Sequence, residues 1–244
     1  MSDTINILGV NISMLTMDET VKKAMGFLED GKNHVIYTPN SEIIYAAYKD
    51  SSFAEVLNSA DINTADGIGV VYASKILKKP LRERVAGYDF LNRLIKEAAP
   101  LSKRVFLFGS KPGVAEEAGA ELEKRYPGIV ICGTHDGYFK DEESEKIANE
   151  IKNSSPDIVL VCLGAPKQEK WIHKYKDIIG AKVIMGAGGS LDVLAGKVER
   201  APEKWQKAGL EWAYRLKKEP KRIMRMTALP KFGFTVLLKG RKYK

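Results

Sequence analysis

Cysteine is scarce in this sequence, and long apolar runs are absent. Only two of the 244 residues are cysteines, Cys132 and Cys162, and both lie in apolar segments, so we expect packed thiols in a reducing compartment and no disulfide framework. The uncharged stretch 232–238 is far shorter than the roughly 20 residues that span a bilayer. The N-terminal residues lack the basic and apolar segments of a secretory signal. We therefore expect a soluble or peripheral protein.

Several motifs of nucleotide-dependent and hydrolytic enzymes are also missing. The sequence contains no Walker-type P-loop, no Gly-x-Ser-x-Gly elbow and no Asp-x-Asp. The best candidate for a dinucleotide-binding motif, residues 186–191, lies late in the chain and has Leu191 where the third glycine belongs. This weakens the interpretation of the protein as an oxidoreductase. The three histidines have no metal-ligand spacing. We expect no cofactor and no metal.

Positive charge is concentrated in the last fifth of the chain. Residues 197–244 carry 15 Lys or Arg and 4 Asp or Glu, whereas residues 1–196 carry 24 and 27. Tryptophan, tyrosine, phenylalanine and methionine are interleaved with these basic residues. Such a segment favours an anionic membrane surface, a phosphate-bearing ligand or nucleic acid as partner. We call residues 197–244 the appendage and expect residues 1–196 to form the main domain.

Short β-branched runs alternate with helix-length segments over residues 1–196. The predicted strands are residues 5–10, 34–37, 62–64, 105–108, 129–132, 158–163 and 183–185. This alternation predicts an α/β protein with a Rossmann-like parallel sheet and helices on both faces, followed by a basic helical appendage.

Polar side chains follow four of the predicted strands. They are Thr38 and Asn40 after the second strand, Asp66 after the third, Gln168 after the sixth, and Asp192 beyond the glycines 186, 188 and 189. Ligands of doubly wound sheets bind at the carboxyl ends of the strands, so these residues are predicted to line one edge. Taken singly, each has a structural explanation, such as helix capping by Thr38, a solvated first helical turn at Gln168 and Glu169, or close packing at the glycines.

Several longer segments resemble the WecG/TagA/CpsF family of bacterial glycosyltransferases, in order over roughly residues 4–229. They are TPNSEII (38–44), ADGIGVV (65–71), RVAGYDF (84–90), LFGSKPGVAEEA (107–118), YPGIVICGTHDGYF (126–139), LGAPKQEKWI (163–172), GAGGSLDVLAGKVERAPE (186–203) and GLEWAYRLKKEPKRIMR (209–225). The resemblance implies an inverting transferase at the inner face of the cytoplasmic membrane. Such an enzyme moves a sugar from a UDP-sugar to an undecaprenyl-diphosphate-linked sugar.

Within the family, the TagA type is the favoured interpretation. It uses UDP-N-acetylmannosamine and undecaprenyl-diphosphate N-acetylglucosamine and makes the linkage unit of wall teichoic acid. Other members take N-acetylmannosaminuronic acid or another hexose, and no residue pattern here distinguishes these donors.

The resemblance and the reaction chemistry together assign provisional roles to the polar residues. An inverting displacement needs a base for the acceptor hydroxyl, and Asp66 is the candidate. Thr38 and Asn40 are expected to hold sugar hydroxyls, Gln168 to orient a sugar or phosphate, and Gly186, Gly188 and Asp192 to border the nucleotide. Arg84, together with Arg215, Arg222 and Arg225 of the appendage, is expected to bind substrate or the departing UDP.

Two other classes stay open at this point. A nucleotide-dependent oxidoreductase would bind NAD in preference to UDP, and a noncatalytic membrane- or nucleic-acid-binding protein would use only the basic appendage. The family interpretation excludes nucleic acid as a partner, and it places the appendage on anionic lipid, where it completes the site. Self-association into a homo-oligomer is a further way to cover apolar area on the appendage.

Overall fold

A six-stranded parallel sheet forms the centre of the protein in a computed structural model, which describes residues 3–218 and 227–243 apart from the side chains of Lys207 and Arg215. The spatial order is β4 (Ile62–Asn63), β3 (His34–Tyr37), β8 (Val183–Gly186), β7 (Ile158–Cys162), β5 (Arg104–Gly109) and β6 (Val130–His135). All five neighbouring pairs are parallel. The predicted α/β fold with a Rossmann-like sheet is confirmed.

Helices cover both faces of this sheet. The helices are α1 (Met17–Phe27), α2 (Ser41–Lys49), α3 (Ser51–Asn58), α4 (Ile68–Ile76), α5 (Gly87–Ala98), α6 (Val114–Arg125), α7 (Ser144–Asn153), α8 (Lys167–Ile179), α9 (Ser190–Leu194), α10 (Glu203–Lys207), α11 (Glu211–Lys218) and α12 (Ala228–Lys239). Single 3-10 turns lie at Ala99–Leu101, Asp141–Glu143 and Gly240–Tyr243.

Alternate residues of each strand point into two separate apolar clusters. Tyr37 packs with α2, α3, α7 and α8 on one face, whereas Ile36 packs with α1, α5, α6 and α9 on the other. Because both faces are covered, the central strands β7 and β8 are buried at every position. Each buried Val, Leu or Ile contributes about 1.5–3 kcal/mol, so the strand ends are held by a rigid platform.

The first predicted strand, residues 5–10, is wrong. The chain forms instead an antiparallel hairpin of β1 (Thr4–Ile7) and β2 (Val10–Ser13), outside the parallel sheet. Leu8 and Gly9 turn the chain with φ of 53° and 95°, and Asn6 Oδ1 accepts from the Gly9 N–H at 2.9 Å. The apolar run was predicted as continuous because Leu8 is itself buried.

The helix boundaries follow the local signals in the sequence. Thr16 and Glu19 form the capping box that the sequence indicates at the start of α1. The appendage begins after the last strand, and its α12 packs on α2 and α4, where Phe232 and Val236 join one core cluster. The appendage therefore contacts the main domain at both of its described ends.

Candidate functional site

The strand order brings the predicted polar strand ends together. We call the carboxyl ends of β4, β3, β8 and β7, with the turns at residues 64–67, 38–40, 187–189 and 163–166, the rim. The turn after β3 leads into α2 on one face and the turn after β8 leads into α9 on the other, as their core clusters show. Adjacent turns that diverge in this way leave a crevice, which is where ligands of open α/β sheets bind.

Thr38 lies at the centre of the rim. Its hydroxyl donates to the backbone carbonyl of Gly186 at 3.3 Å and thereby joins the ends of β3 and β8. The start of α5 presses against it, because a Cβ at Gly87 would lie 3.0 Å from the Thr38 side chain. The helix-capping explanation of Thr38 is wrong, since α2 is capped by Asn40.

Asn40 and Asp66 occupy neighbouring turns. The Asn40 side chain accepts from the N–H groups of Glu42 and Ile43 at 2.9 and 3.0 Å, so its oxygen is committed to the backbone. Its Cβ lies 3.7 Å from the position of a Cβ on Gly67. Asp66 is half-buried, and Gly67 adopts φ of 85° in order to turn the chain into α4. The Asp66 carboxylate is therefore placed at the rim and not in the core.

Gln168 lies beneath the rim and is almost fully buried. Its Oε1 accepts from the Gly188 N–H at 2.9 Å, and its Nε2 donates to Glu169 Oε1 at 3.0 Å. A Cβ at Gly186 would lie 2.6 Å from Gln168 Nε2, which explains the glycine at that position. Gly188, with φ of 58°, is turned so that its N–H faces Gln168. Gln168 thus supports the glycine turn from below, and the solvated explanation of Gln168 and Glu169 is wrong.

Asp192 belongs to the first turn of α9, and it is half-buried. Its Oδ2 accepts from the hydroxyl of Ser110 at 3.0 Å, and Ser110 follows β5 with φ of 62°. This hydrogen bond extends the polar edge from β8 to β5. Next to it, burial raises the pKa of the Cys162 thiol to about 12, so this cysteine is a packed side chain and not a nucleophile.

Arg84 joins the rim to the appendage. The backbone N–H of Val85 donates to Ala65 O at 3.1 Å, which sets Arg84 beside the turn that carries Asp66. Arg84 Nη1 lies 3.4 Å from Glu211 Oε2 of α11, and both side chains are more than four-fifths buried. The predicted phosphate-binding arginine is therefore held by an acidic residue of the appendage.

Two further contacts attach the appendage close to the rim. Arg200 forms a two-pronged ion pair with Asp89 of α5 at 2.6 and 2.7 Å and stacks on Tyr88, with its guanidinium carbon 4.8 Å from the ring centre. Gly209, with φ of 70°, packs on Ile68, directly after Asp66 and Gly67. The start of the appendage thus lies over the Asp66 turn.

The side chains of the other predicted arginines lie outside the part of the chain that the structure describes. Arg222 and Arg225 lie outside the described residues, and only the backbone of Arg215 is described, within α11. Their assignment stays a prediction.

Sequence reasoning missed Glu169, Ser110, Asp89, Arg200 and Glu211. All five residues fall within the quoted motifs. The pairing of Glu211 with Arg84, however, joins positions 127 residues apart and leaves no local pattern in the sequence. The Gln-Glu pair at the start of an apolar helix was a usable signal, because two adjacent polar residues beside Trp171 and Ile172 are expected to pair if buried.

Within residues 3–218 and 227–243, no three His, Cys, Asp or Glu side chains lie close enough to hold a metal ion. The expectation of metal-independent chemistry stays a prediction. Within the same ranges, no helix has the length and apolar character needed to cross a bilayer. An open groove of about 600 Å³ runs between α6 and the end of α9, lined by Glu117, Glu121, Lys124 and Arg125. Its lining includes none of the predicted site residues, so we place the site at the rim.

Comparison with known proteins agrees with this geometry. The family model described as "Glycosyl transferase WecG/TagA/CpsF family" matches residues 5–244. The chain belongs to the WecG/TagA/CpsF family of glycosyltransferases. The expected family resemblance is thereby confirmed, and so is the prediction of a glycosyltransferase.

Three similar members of the WecG/TagA/CpsF family carry the name N-acetylglucosaminyldiphosphoundecaprenol N-acetyl-beta-D-mannosaminyltransferase. The protein of Bacillus spizizenii is 43% identical over 86% of this chain and 81% of its own length. That of Bacillus subtilis strain 168 is 38% identical over 98% and 92%, and that of Staphylococcus aureus strain MRSA252 is 38% identical over 98% and 94%. The similarity thus includes both the sheet and the appendage.

Proposed function

We propose that this chain transfers N-acetylmannosamine from UDP-N-acetylmannosamine to undecaprenyl-diphosphate N-acetylglucosamine. The observation that carries the proposal is the half-buried Asp66 at the rim, in the turn that the backbone next to Arg84 contacts through Ala65, in a chain similar to three enzymes of that name. Among family members, transfer of a related uronic acid or hexose is the alternative. The product is the linkage unit of a wall polymer.

Asp66 acts as the base in this reaction. The acceptor hydroxyl attacks the anomeric carbon of the donor sugar as the bond from that carbon to the UDP oxygen breaks. The hydroxyl proton moves to the Asp66 carboxylate, and UDP leaves with the bonding electron pair. Gly67 carries no side chain, which leaves space for the acceptor beside the carboxylate. Thr38 and Asn40 border the sugar from the next turn.

The donor diphosphate is proposed to lie across the glycine turn of the rim. Helices α2, α4, α5, α8 and α9 all begin at or beside this crevice, and α4, α5 and α8 have no side-chain cap at their first turn. Helix N-termini favour anions, because their unpaired N–H groups and dipoles carry partial positive charge. Gly186, Gly188 and Asp192 border the nucleotide in this arrangement, with no metal required.

Arginines neutralise the charge that develops on the departing UDP. Arg84 is the described member of this set, and Arg215, Arg222 and Arg225 are its proposed companions from the appendage. An arginine that contacts the leaving group more closely as the bond breaks stabilises the transition state more than the ground state. Glu211 pairs with Arg84, so we expect the diphosphate to compete with that carboxylate for the guanidinium group.

The appendage is proposed to bind the inner face of the cell membrane, where the lipid acceptor resides. Phe234, Leu237 and Leu238 are each at least 60% exposed and follow one another at helical spacing on α12. Lys231 and Lys239 lie on the same helix. An exposed apolar stripe beside basic residues matches an interfacial helix on anionic lipid. We propose residues 197–244 as the membrane-associating part of the chain and residues 1–196 as the catalytic domain.

A UDP-release assay tests the proposed function. The full chain is incubated with undecaprenyl-diphosphate N-acetylglucosamine in vesicles and with a panel of UDP-sugars. We expect release of UDP only when both substrates are present, and fastest with UDP-N-acetylmannosamine. Preference for another UDP-sugar would move the chain to a different branch of the family. Binding of NAD in preference to UDP, or no turnover with any donor, would contradict the proposal.

A further inference from the structure

Glu169 is a deeply buried acidic residue that the proposed reaction leaves without a role. Its side chain is 1% exposed and lies directly beneath the rim, next to Gln168 in the first turn of α8. Its Oε1 accepts from Gln168 Nε2, whereas its Oε2 has no hydrogen-bond partner among the described residues. Burying a carboxyl group in this way is costly, so a specific task for it is expected.

The hydrogen bonds around Gln168 permit only one orientation of its amide. The backbone N–H of Gly188 can only donate, so the group facing it at 2.9 Å must be the Gln168 oxygen. The Gln168 nitrogen then points toward Glu169 and needs an acceptor there. If the amide rotated by half a turn, two donors would face each other at Gly188, and the Gln168 nitrogen would no longer meet the Glu169 oxygen.

The main chain of Glu169 is fixed as well. The buried hydroxyl of Tyr37 donates to the Glu169 carbonyl at 3.1 Å, which ties the start of α8 to β3 immediately before Thr38. Without a Cβ, Gly186 leaves the space that the Gln168 amide fills. Glu169, Gln168 and the glycine turn therefore form one continuous support from β3 to β8.

We propose that Glu169 is a positioning residue, whose carboxyl group fixes the Gln168 amide and through it the Gly188 turn against which the donor diphosphate binds. The inference rests on the proposed function for the role of the turn, but the hydrogen-bond relay itself does not depend on the substrate. Burial raises the pKa of Glu169, which favours the neutral acid. In either protonation state the carboxyl group keeps an oxygen that accepts from the Gln168 amide.

Two substitutions of similar volume separate this role from simple packing. Glu169→Gln keeps an acceptor oxygen, whereas Glu169→Met fills the same space without one. For the full chain acting on UDP-sugar and lipid acceptor, we expect Glu169→Met to lower kcat/KM for the donor by about 10- to 100-fold, the cost of one unsatisfied buried group. Glu169→Gln should stay within about threefold of the unsubstituted protein.

A double-substitution cycle tests whether Glu169 acts through Gln168. In a Gln168→Met background, adding Glu169→Met should lower kcat/KM no further, because the group that it orients is already gone. Losses that multiply, or a folded Glu169→Met protein with unchanged kinetics, would overturn the proposal.

A readout without turnover distinguishes failure of this inference from failure of the proposed function. Hydrogen exchange of the Gly188 N–H should be faster by about tenfold or more in Glu169→Met, and unchanged in Glu169→Gln. Equal protection in both variants would overturn the relay even if transfer is observed. If Glu169→Met does not fold, Glu169→Asp, which withdraws the acceptor by one methylene, is expected to give the same faster exchange, and its failure to do so would be equally decisive.

Discussion

At position 186, the absence of a side chain is a requirement of the site. A Cβ there would lie 2.6 Å from Gln168 Nε2 and 3.3 Å from the Tyr37 ring, both of which are buried and fixed. Gly186→Ala should therefore displace the Gln168 amide, cost about 1–3 kcal/mol in unfolding free energy and lower transfer. Thermal unfolding and the UDP-release assay measure both effects.

Gly189 provides the matched control for that substitution. It lies three residues further along the same turn, has φ of −91° and has open space where a Cβ would stand. Gly189→Ala should leave the free energy of unfolding nearly unchanged, because its Cβ meets no neighbouring atom. Equal effects at positions 186 and 189 would refute the close-packing explanation of Gly186.

Because of the buried carboxyl group of Glu169, we expect the free energy of unfolding to depend on pH. Because burial raises the pKa of Glu169, the folded protein holds this proton more tightly than the unfolded chain does. The stabilisation that this bound proton contributes is fully present below the pKa of Glu169 in the unfolded chain, near 4.5. It is lost as pH rises through the pKa of Glu169 in the folded protein. Glu169→Gln has no carboxyl group to ionise. The unfolding temperature of this variant minus that of the unsubstituted protein should therefore become larger as pH rises from 5 to 8. Parallel stability curves across this range would contradict the assignment.

Among single residues, the position at the strand ends was predictable, but the contacts were not. Thr38, Asp66 and Gln168 were predicted to lie at the rim because a polar residue at the end of an apolar strand is a strong local signal. The structure makes Gln168 a support beneath the rim, since its two amide partners come from residue 188 and from its neighbour 169. Such pairing depends on how β7 and β8 lie side by side, which local sequence does not encode.

At the level of elements, α5 and the start of the appendage behave as one unit. Arg200 reaches Asp89 with two hydrogen bonds and covers Tyr88, while Gly87 at the start of the same helix packs on Thr38. Arg200→Met should loosen the segment at residues 197–218, increase its proteolysis severalfold and reduce transfer. Limited proteolysis followed by mass analysis measures the first effect.

Lys197 is the control for Arg200, because it forms an ion pair with Glu117 in which both side chains are about half exposed. Exposed pairs of this kind contribute about 0–1 kcal/mol, so Lys197→Met should leave proteolysis unchanged. The attachment described here would be wrong if both substitutions opened the segment equally.

The exposed leucines of α12 are expected to contribute to membrane binding. Leu237 and Leu238 are 60% and 64% exposed, so replacing both by serine should cost little stability. Binding to vesicles that contain anionic lipid should fall by about fivefold or more, because their apolar area no longer enters the interface. Leu101→Ser, at a site 50% exposed in the turn after α5, is the control. Unchanged vesicle binding of the α12 variant would contradict the proposed orientation.

Elements differed in how well the sequence predicted them. The parallel strands were correctly placed, because continuous β-branched runs are local signals. The N-terminal hairpin was missed, since its turn uses Leu8, a buried residue with φ of 53°, where a polar or glycine pair is usual. The attachment of the appendage rests on ion pairs between distant positions and had no sequence signal.

For the whole molecule, the charge distribution and the fold support one account. The sheet provides a rim of polar strand ends and uncapped helix starts, and the appendage packs beside the Asp66 turn, where Gly209 contacts Ile68 and Glu211 pairs with Arg84. We expect transfer to require both the sheet domain and the appendage. A chain shortened to residues 1–196 should therefore lose transfer to the lipid acceptor, and full activity of that fragment would refute a catalytic contribution from the appendage.

One substitution tests whether Asp66 acts as the base. Asp66→Asn keeps the size of the side chain but removes the proton acceptor. In single-turnover transfer by the full chain, we expect a rate lower by about 100-fold or more, with donor binding retained. Transfer by Asp66→Asn at the rate of the unsubstituted protein would contradict it.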